Sequence, residues 1–217
     1  MNKPTDTIRR RGMERKQLPS AKFLNECFTH DRANGILIWK SRPNGHFPDL
    51  ETAKKWNARF SGNEAGSKCC RPNGKHRYMD VGLKVAANGS AYLYSIHLII
   101  WILLGGKIPE NCEIDHKDGD PWNNHEDNLR VATPKQNTQN VAGHRKKKSG
   151  LLKWSFYEKD SKSGKIYGFR SAIHNNGKSL FLGNFRTEME AHLTGLRMAI
   201  ELHGDFVNCG CDPPCSI

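Results

Sequence analysis

At 217 residues the chain can fold as one large domain or two small ones, each with a modest core. Its 34 lysines and arginines outnumber 22 acidic residues, and the net charge of +12 favours a polyanionic partner, either nucleic acid or an anionic membrane. Nucleic acid is the better reading. No basic amphipathic anchor is visible, and the longest apolar run (residues 95–105, SIHLIIWILLG) is too short to span a bilayer.

The amino-terminal stretch lacks the apolar core of a secretory signal, so an intracellular protein is expected. Seven cysteines, an odd number, fit reduced thiols rather than a disulfide framework. Cys209, Cys211 and Cys215 could contribute to a zinc site, but they lack paired CxxC spacing, and a loose tail of reduced thiols is preferred.

In chain order, residues 1–19 are polar and basic and are expected to order only against a phosphate backbone. Ser20 can cap a short helix over residues 20–28 that buries Phe23, Leu24 and Phe28. Asn34-Gly35 predicts a hairpin turn into a strand at 36–40. Residues 41–66 are rich in Gly, Asn and Pro, with one helical patch at 53–60, and suggest no chemistry. Strands are predicted at 77–85 and 91–96, joined by Asn88-Gly89, then an apolar helix at 97–104 that stops at Gly105-Gly106.

The stretch 112–137, CEIDHKDGDPWNNHEDNLRVATPKQN, carries the chemistry. A strand at 113–116, a loop at 117–128, and a returning strand at 129–132 lead into a helix. Thr133 suits the capping position of that helix, Pro134 its first position, and Gln136 sits three after the threonine. This ββα unit can bring Asp115, His116 and Asn137 together. Asn128 follows His116 by 12 residues and Asn137 follows it by 21. A carboxylate can bind a hard cation, an adjacent imidazole can take a proton from water, and an amide oxygen can complete the metal shell. Taken singly, Asp115 and Asn128 read as turn caps and His116 as a surface residue. Taken jointly, they favour catalysis. His125 reads as solvent-facing.

Residues 69–140 resemble the core of HNH endonucleases of the homing type found in phages and mobile introns. The likeness rests on His97-x-x-x-Trp101, Ile114-Asp115-His116-x-Asp118-Gly119-Asp120, Asn123-Asn124, Asp127-Asn128-Leu129-Arg130 and Thr133-Pro134-x-x-Asn137. It implies that Asp115 and Asn137 bind a divalent metal, with Asn137 in place of the commoner histidine. It further implies that His116 is the general base and that Asn128 holds the loop and the histidine. An all-oxygen shell implies Mg²⁺ or Mn²⁺. His97 and Arg130 are expected near DNA. Leu98 stands where the family often has arginine, so His97 reads equally well as structural.

Residues 143–150, GHRKKKSG, form a flexible basic linker in which Arg145, Lys146, Lys147 and Lys148 are expected to meet phosphates. Beyond it, strands are predicted at 151–158, 166–174 and 179–185, with turns at Ser163-Gly164 and Asn176-Gly177. A helix follows, capped by Thr187 with Glu190 three residues on, and Ala191, Gly195, Met198, Ala199 and Leu202 share one face. Residues 153–186 hold seven basic and two acidic side chains, net +5, whereas residues 187–205 hold one and four, net −3. A basic sheet facing DNA, backed by an acidic helix, explains that division.

This segment resembles the ethylene-response-factor (APETALA-type) DNA-binding domain through Trp154, Phe169, Ile173, Asn176-Gly177-Lys178, Leu182-Gly183, Phe185, Ala191 and Leu202-His203-Gly204. Phe169 replaces the family's preferred tryptophan, and His192 a usual alanine. Arg170, Lys178 and Arg186 are the expected DNA contacts.

The expected fold class is α+β. A ββα-metal (HNH) nuclease core (69–142) carries an N-terminal β-rich extension (20–68). A small domain of a three-stranded antiparallel sheet and a helix (151–208) precedes a Cys-containing tail (209–217). The expected activity is hydrolysis of double-stranded DNA by a monomer in the cytoplasm, that of a bacterial host if the protein is phage-encoded. A DNA-binding regulator with an inactive nuclease fold and a zinc-stabilised structural protein remain open.

Overall fold

The computed structural model describes residues 17–70, 77–140 and 149–209. The chain divides into two compact units, residues 1–134 and 135–217. The division thus falls ahead of the predicted linker, and of that linker Arg145, Lys146, Lys147 and Lys148 lie outside the described residues.

In the first unit α1 (Ala21–Cys27) opens at Ser20, whose hydroxyl accepts from the Phe23 amide as its spacing predicts. The helix ends one residue early because Phe28 begins a strand. Strand β1 (Phe28–Asp31) and β2 (Ile36–Trp39) form an antiparallel hairpin. Its turn is shaped by Asp31, whose carboxylate accepts from the Ala33 and Asn34 amides, and by Gly35 at φ +64°. Helix α2 (Leu50–Phe60), capped by Asp49, starts ahead of the predicted patch. The second sheet has the order β3 (Ser67–Cys70), β4 (Arg77–Lys84), β5 (Ala91–Ser95).

Helix α3 (Ile96–Leu103) follows directly, and Gly105 at φ +79° ends it as expected. Ile96, Ile99 and Ile100 are buried on it. Each contributes roughly 1.5–3 kcal/mol through the apolar surface it removes from water. They join Leu24, Phe28, Leu37 and Trp39 of the extension, and Ile114 and Leu129 of the last hairpin, in one continuous core. The extension and the strands and helix between residues 67 and 132 therefore share one packed core within the first unit.

The 41–66 stretch, which suggests no chemistry, supplies part of that packing. Arg42 is only 5% exposed, and its guanidinium lies over the rings of Phe23, Phe47 and Trp56 at 5.7, 5.1 and 5.1 Å. It donates to the Lys84 carbonyl and to His46 Nδ1. His46 Nε2 lies 2.9 Å from Glu26. Cys27 sits beside this group with its thiol pushed up to about 11, chiefly by burial, so it is an inert core residue.

The third sheet is the hairpin of β6 (Glu113–His116) and β7 (Leu129–Ala132). The short α4 (Pro134–Gln139) comes next and straddles the division between the units.

The second unit is a three-stranded antiparallel sheet backed by a helix. The strands β8 (Ser155–Lys159), β9 (Ile166–Asn175) and β10 (Lys178–Phe185) lie in the order β10-β9-β8. Asn176 and Gly177, at φ +50° and +78°, make the tight turn that their sequence predicts. Helix α5 (Glu188–His203) carries the full capping box of Thr187 and Glu190.

The buried stripe of α5 is Ala191, His192, Gly195, Leu196 and Ala199; Ala191, Gly195 and Ala199 lie on the predicted face, His192 and Leu196 are buried beside them, and Leu202 is 38% exposed. His192 is accommodated because its Nδ1 donates to the Lys153 carbonyl at 2.9 Å and its ring stacks on Trp154. Trp154 itself has φ +63°, an unfavourable conformation for a bulky residue. A methyl group on Gly195 would lie 2.3 Å from Trp154 Cβ and 3.0 Å from Ser171 Oγ. Gly195→Ala should therefore destabilise this unit by about 1–3 kcal/mol, read as a lowered urea midpoint.

Candidate active site

The antiparallel register of β6 and β7 places Asp115 opposite Arg130 and His116 opposite Leu129. Directly opposed residues reach one another, and Arg130 donates to Asp115 Oδ2 through Nε at 3.0 Å and Nη2 at 2.9 Å. The side chains are 11% and 7% exposed, so this is a buried ion pair. Arg130, expected near DNA, has its guanidinium on the Asp115 carboxylate, in keeping with the register.

His116 closes β6 and is 4% exposed. Its Nε2 lies 3.0 Å from Asn124 Oδ1. The orientation of Asn124 is determined by its other neighbours, since its Nδ2 faces the Trp122 carbonyl at 3.3 Å and Met79 Sδ at 3.6 Å, both acceptors. The amide oxygen must then face the imidazole. With this orientation of Asn124, Nε2 is the donating nitrogen of His116, and in the neutral ring Nδ1 is the nitrogen with the lone pair. Sequence reasoning missed Asn124, which is 2% exposed. The only available signal was the Asn123-Asn124 doublet inside the motif.

Behind His116 lies His97, with ring centroids 5.0 Å apart in an edge arrangement; Tyr78 is 5.2 Å from His97 and 6.3 Å from His116. The motif places His97 near DNA as well, but it is 6% exposed, because it opens the helix whose neighbouring side chains fill the core. Burial first, and the nearby His116 second, lower its pKa to about 3.

The loop between the strands is laced by Asn128. Its Oδ1 accepts from the Asp118 amide, and its Nδ2 donates to Asp118 Oδ1 and the Asn123 carbonyl at 2.9 and 2.7 Å. Its own carbonyl accepts from Lys117, next to His116. Asn128 thus ties the two ends of the loop together. His125 is half-buried, with Nδ1 3.7 Å from Asp127.

Asn137 lies on α4, beyond the division at residue 134. Among the described residues no group of three His, Cys, Asp or Glu is placed to hold a metal ion. The expected pair of Asp115 and Asn137 includes an amide and is of a different composition. In the second unit Arg170, Lys178 and Arg186 are all exposed. Arg170 lies 5.6 Å over the Phe156 ring and 3.9 Å from Glu158. No helix among the described residues is long and apolar enough to cross a membrane.

A buried Asp-His pair on a β-hairpin, followed by a short helix, is the arrangement of an HNH-type nuclease site. Residues 94–139 match the HNH endonuclease family. The chain is 36% identical over 114 residues to Protein 3.8 of Escherichia phage T7, covering 51% of this chain and 85% of that one. It is 33% identical over 112 residues to an uncharacterized HNH endonuclease, L560, of Acanthamoeba polyphaga mimivirus, covering 51% of this chain and 54% of the relative. Among solved structures, one describing DNA binding and cleavage by the HNH homing endonuclease I-HmuI aligns at 20% identity and a TM-score of 0.36, over 61% of this chain and 59% of the other. Residues 94–139 of this chain are therefore an HNH endonuclease domain.

The depressed pKa of His97 gives a signed prediction. The folded state keeps this ring neutral, whereas the unfolded chain protonates it below about 6.5. Its stabilising effect is complete above that pH and is lost as pH falls toward 3, by up to about 1.4 kcal/mol per pH unit. Denaturant unfolding between pH 7 and 5 should show this loss, and His97→Gln should flatten it.

Proposed function

We propose that the chain is a metal-dependent DNA endonuclease of the homing type that hydrolyses phosphodiester bonds in double-stranded DNA, leaving 5′ phosphate and 3′ hydroxyl ends. The observation that carries this reading is His116, buried next to Asp115 and held through Nε2 by Asn124, which assigns the basic lone pair to Nδ1. In this reading His116 Nδ1 takes a proton from the attacking water. The Nε2–H donated to Asn124 then helps carry the resulting positive charge. Asn128 maintains the loop that holds both residues.

Asp115 and Asn137 offer only oxygen donors, a set that fits Mg²⁺ or Mn²⁺, and these two residues would hold the ion. Such an ion, when bound, stabilises the negative charge on the departing 3′ oxygen. His97, neutral and buried, supports the His116 ring without adding a charge next to it.

The second unit is proposed as the DNA-binding module, similar to the ethylene-response-factor domain. Supporting this are its three strands and helix, the exposed Arg170, Lys178 and Arg186, and the basic strand region opposed to an acidic helix. Arg145, Lys146, Lys147 and Lys148 would add phosphate contacts, as would Arg130. The protein would act as a monomer in a bacterial host's cytoplasm, in keeping with its phage relative.

Incubation of supercoiled plasmid with Mg²⁺ should give nicked or linear product, and His116→Ala should slow this by roughly 10²–10⁴-fold. Binding to duplex DNA without cleavage by the intact chain would overturn the enzymatic reading. Replacing Arg145, Lys146, Lys147 and Lys148 with alanine should weaken DNA binding across sequences. It should also reduce the slope of log K against log salt by about 0.9 for each phosphate no longer neutralised.

A further inference from the structure

The amino-terminal extension touches the segment that holds His116. Gly35, in the β1–β2 turn, packs against the backbone of residues 124 and 125. A methyl group there would lie 2.6 Å from the His125 nitrogen, 2.8 Å from its Cα and 3.0 Å from the Asn124 carbonyl carbon. These are backbone atoms and cannot swing aside. The glycine is doubly favoured, since its φ of +64° also disfavours most L side chains. Three residues earlier in the same turn, Arg32 Nε lies 3.3 Å from Glu126 Oε2. The turn therefore meets the 124–126 segment at two points.

That segment supplies the polar partner of His116 Nε2, the Asn124 side-chain oxygen at 3.0 Å. Asn124 reaches it from a site that is 2% exposed, with its nitrogen occupied by Trp122 and Met79. Small shifts of the segment would lengthen the bond to His116 before they disturbed any exposed surface.

We propose that the extension is a positioning element for the catalytic histidine: the Gly35 turn seats Asn124, and Asn124 fixes the His116 ring in the tautomer that leaves Nδ1 basic. This deepens the nuclease reading and rests on it. Asn124 and Gly35 are positioning residues, since both act through the His116 ring rather than on the reacting atoms. The turn belongs to the hairpin that shares its core with α3 and β6, so the link runs through packed backbone.

The test uses the full-length chain with nitrogen-15-labelled histidine. In the wild type, His116 should show a protonated Nε2 and an unprotonated Nδ1 at pH 8. Asn124→Leu, which keeps the branched skeleton but removes the acceptor, should shift His116 toward a mixture of tautomers. Gly35→Ala should shift it in the same direction, and both should lower kcat for plasmid nicking by about 10–100-fold with KM unchanged. Gly35→Asn, whose side chain tolerates the left-handed backbone, isolates the steric clash and should behave like Gly35→Ala. Gly62→Ala is the control, because Gly62 has φ +85° in the same extension but nothing lies within 4 Å of its added methyl. It should leave the tautomer and kcat as in the wild type.

A wild-type tautomer in the Gly35 variants, or in Asn124→Leu, would overturn the proposal. An equal loss in Gly62→Ala would also overturn it, by showing a general loss of stability. If the wild type fails to nick DNA, the nuclease reading falls, while the tautomer measurement still decides whether Gly35 positions the ring.

Discussion

The pairing of two four-residue strands determines the site. In the β6–β7 hairpin each residue has one partner across the ladder, so the register alone decides that Asp115 faces Arg130 and that His116 ends its strand beside the loop. A slip of one residue would turn both side chains to the opposite faces. The hairpin is too short to hold its register alone, since an isolated two-stranded element is marginal in water. Ile114 and Leu129, buried in the common core, anchor it, and Asn128 laces the connecting loop.

Two kinds of electrostatic control meet at this point. Asp115 is compensated by a buried guanidinium, which offsets the desolvation of a carboxylate next to a histidine. His97 instead remains uncharged by burial, so the imidazole in front of it has no second cation behind it. Together they permit an acid and a base to sit on adjacent residues inside a protein body without an uncompensated charge.

Much of this was legible in the sequence, because the relevant signals are local. The Ser20 and Thr187 caps, the Asn34-Gly35 and Asn176-Gly177 turns and the Gly105 stop all follow from residue chemistry at one position. The strand pair around Asp115 and His116 was also visible. What escaped was set by packing at a distance. The Arg130–Asp115 pair needs the register, although equal strands ending at residues 116 and 129 would have supplied it. The burial of His97 needs the position of α3 in the core, and Asn124 needs the path of the loop. β3 and the extended run of β1 were missed because short polar strands carry little periodicity. On α5 the burial of His192 escaped, since it is tolerated through its bond to the Lys153 carbonyl and its stacking on Trp154.

The common core also bears on where such a domain can be divided. The residues that resemble the nuclease family begin near 69, yet the apolar side chains that support them reach back to Leu24. Excision at the motif boundary would strip Leu24, Phe28, Leu37 and Trp39 from the interior and leave a greasy scar in place of a wall. The smallest part of this chain that keeps its interior intact is therefore set by the core rather than by the motif.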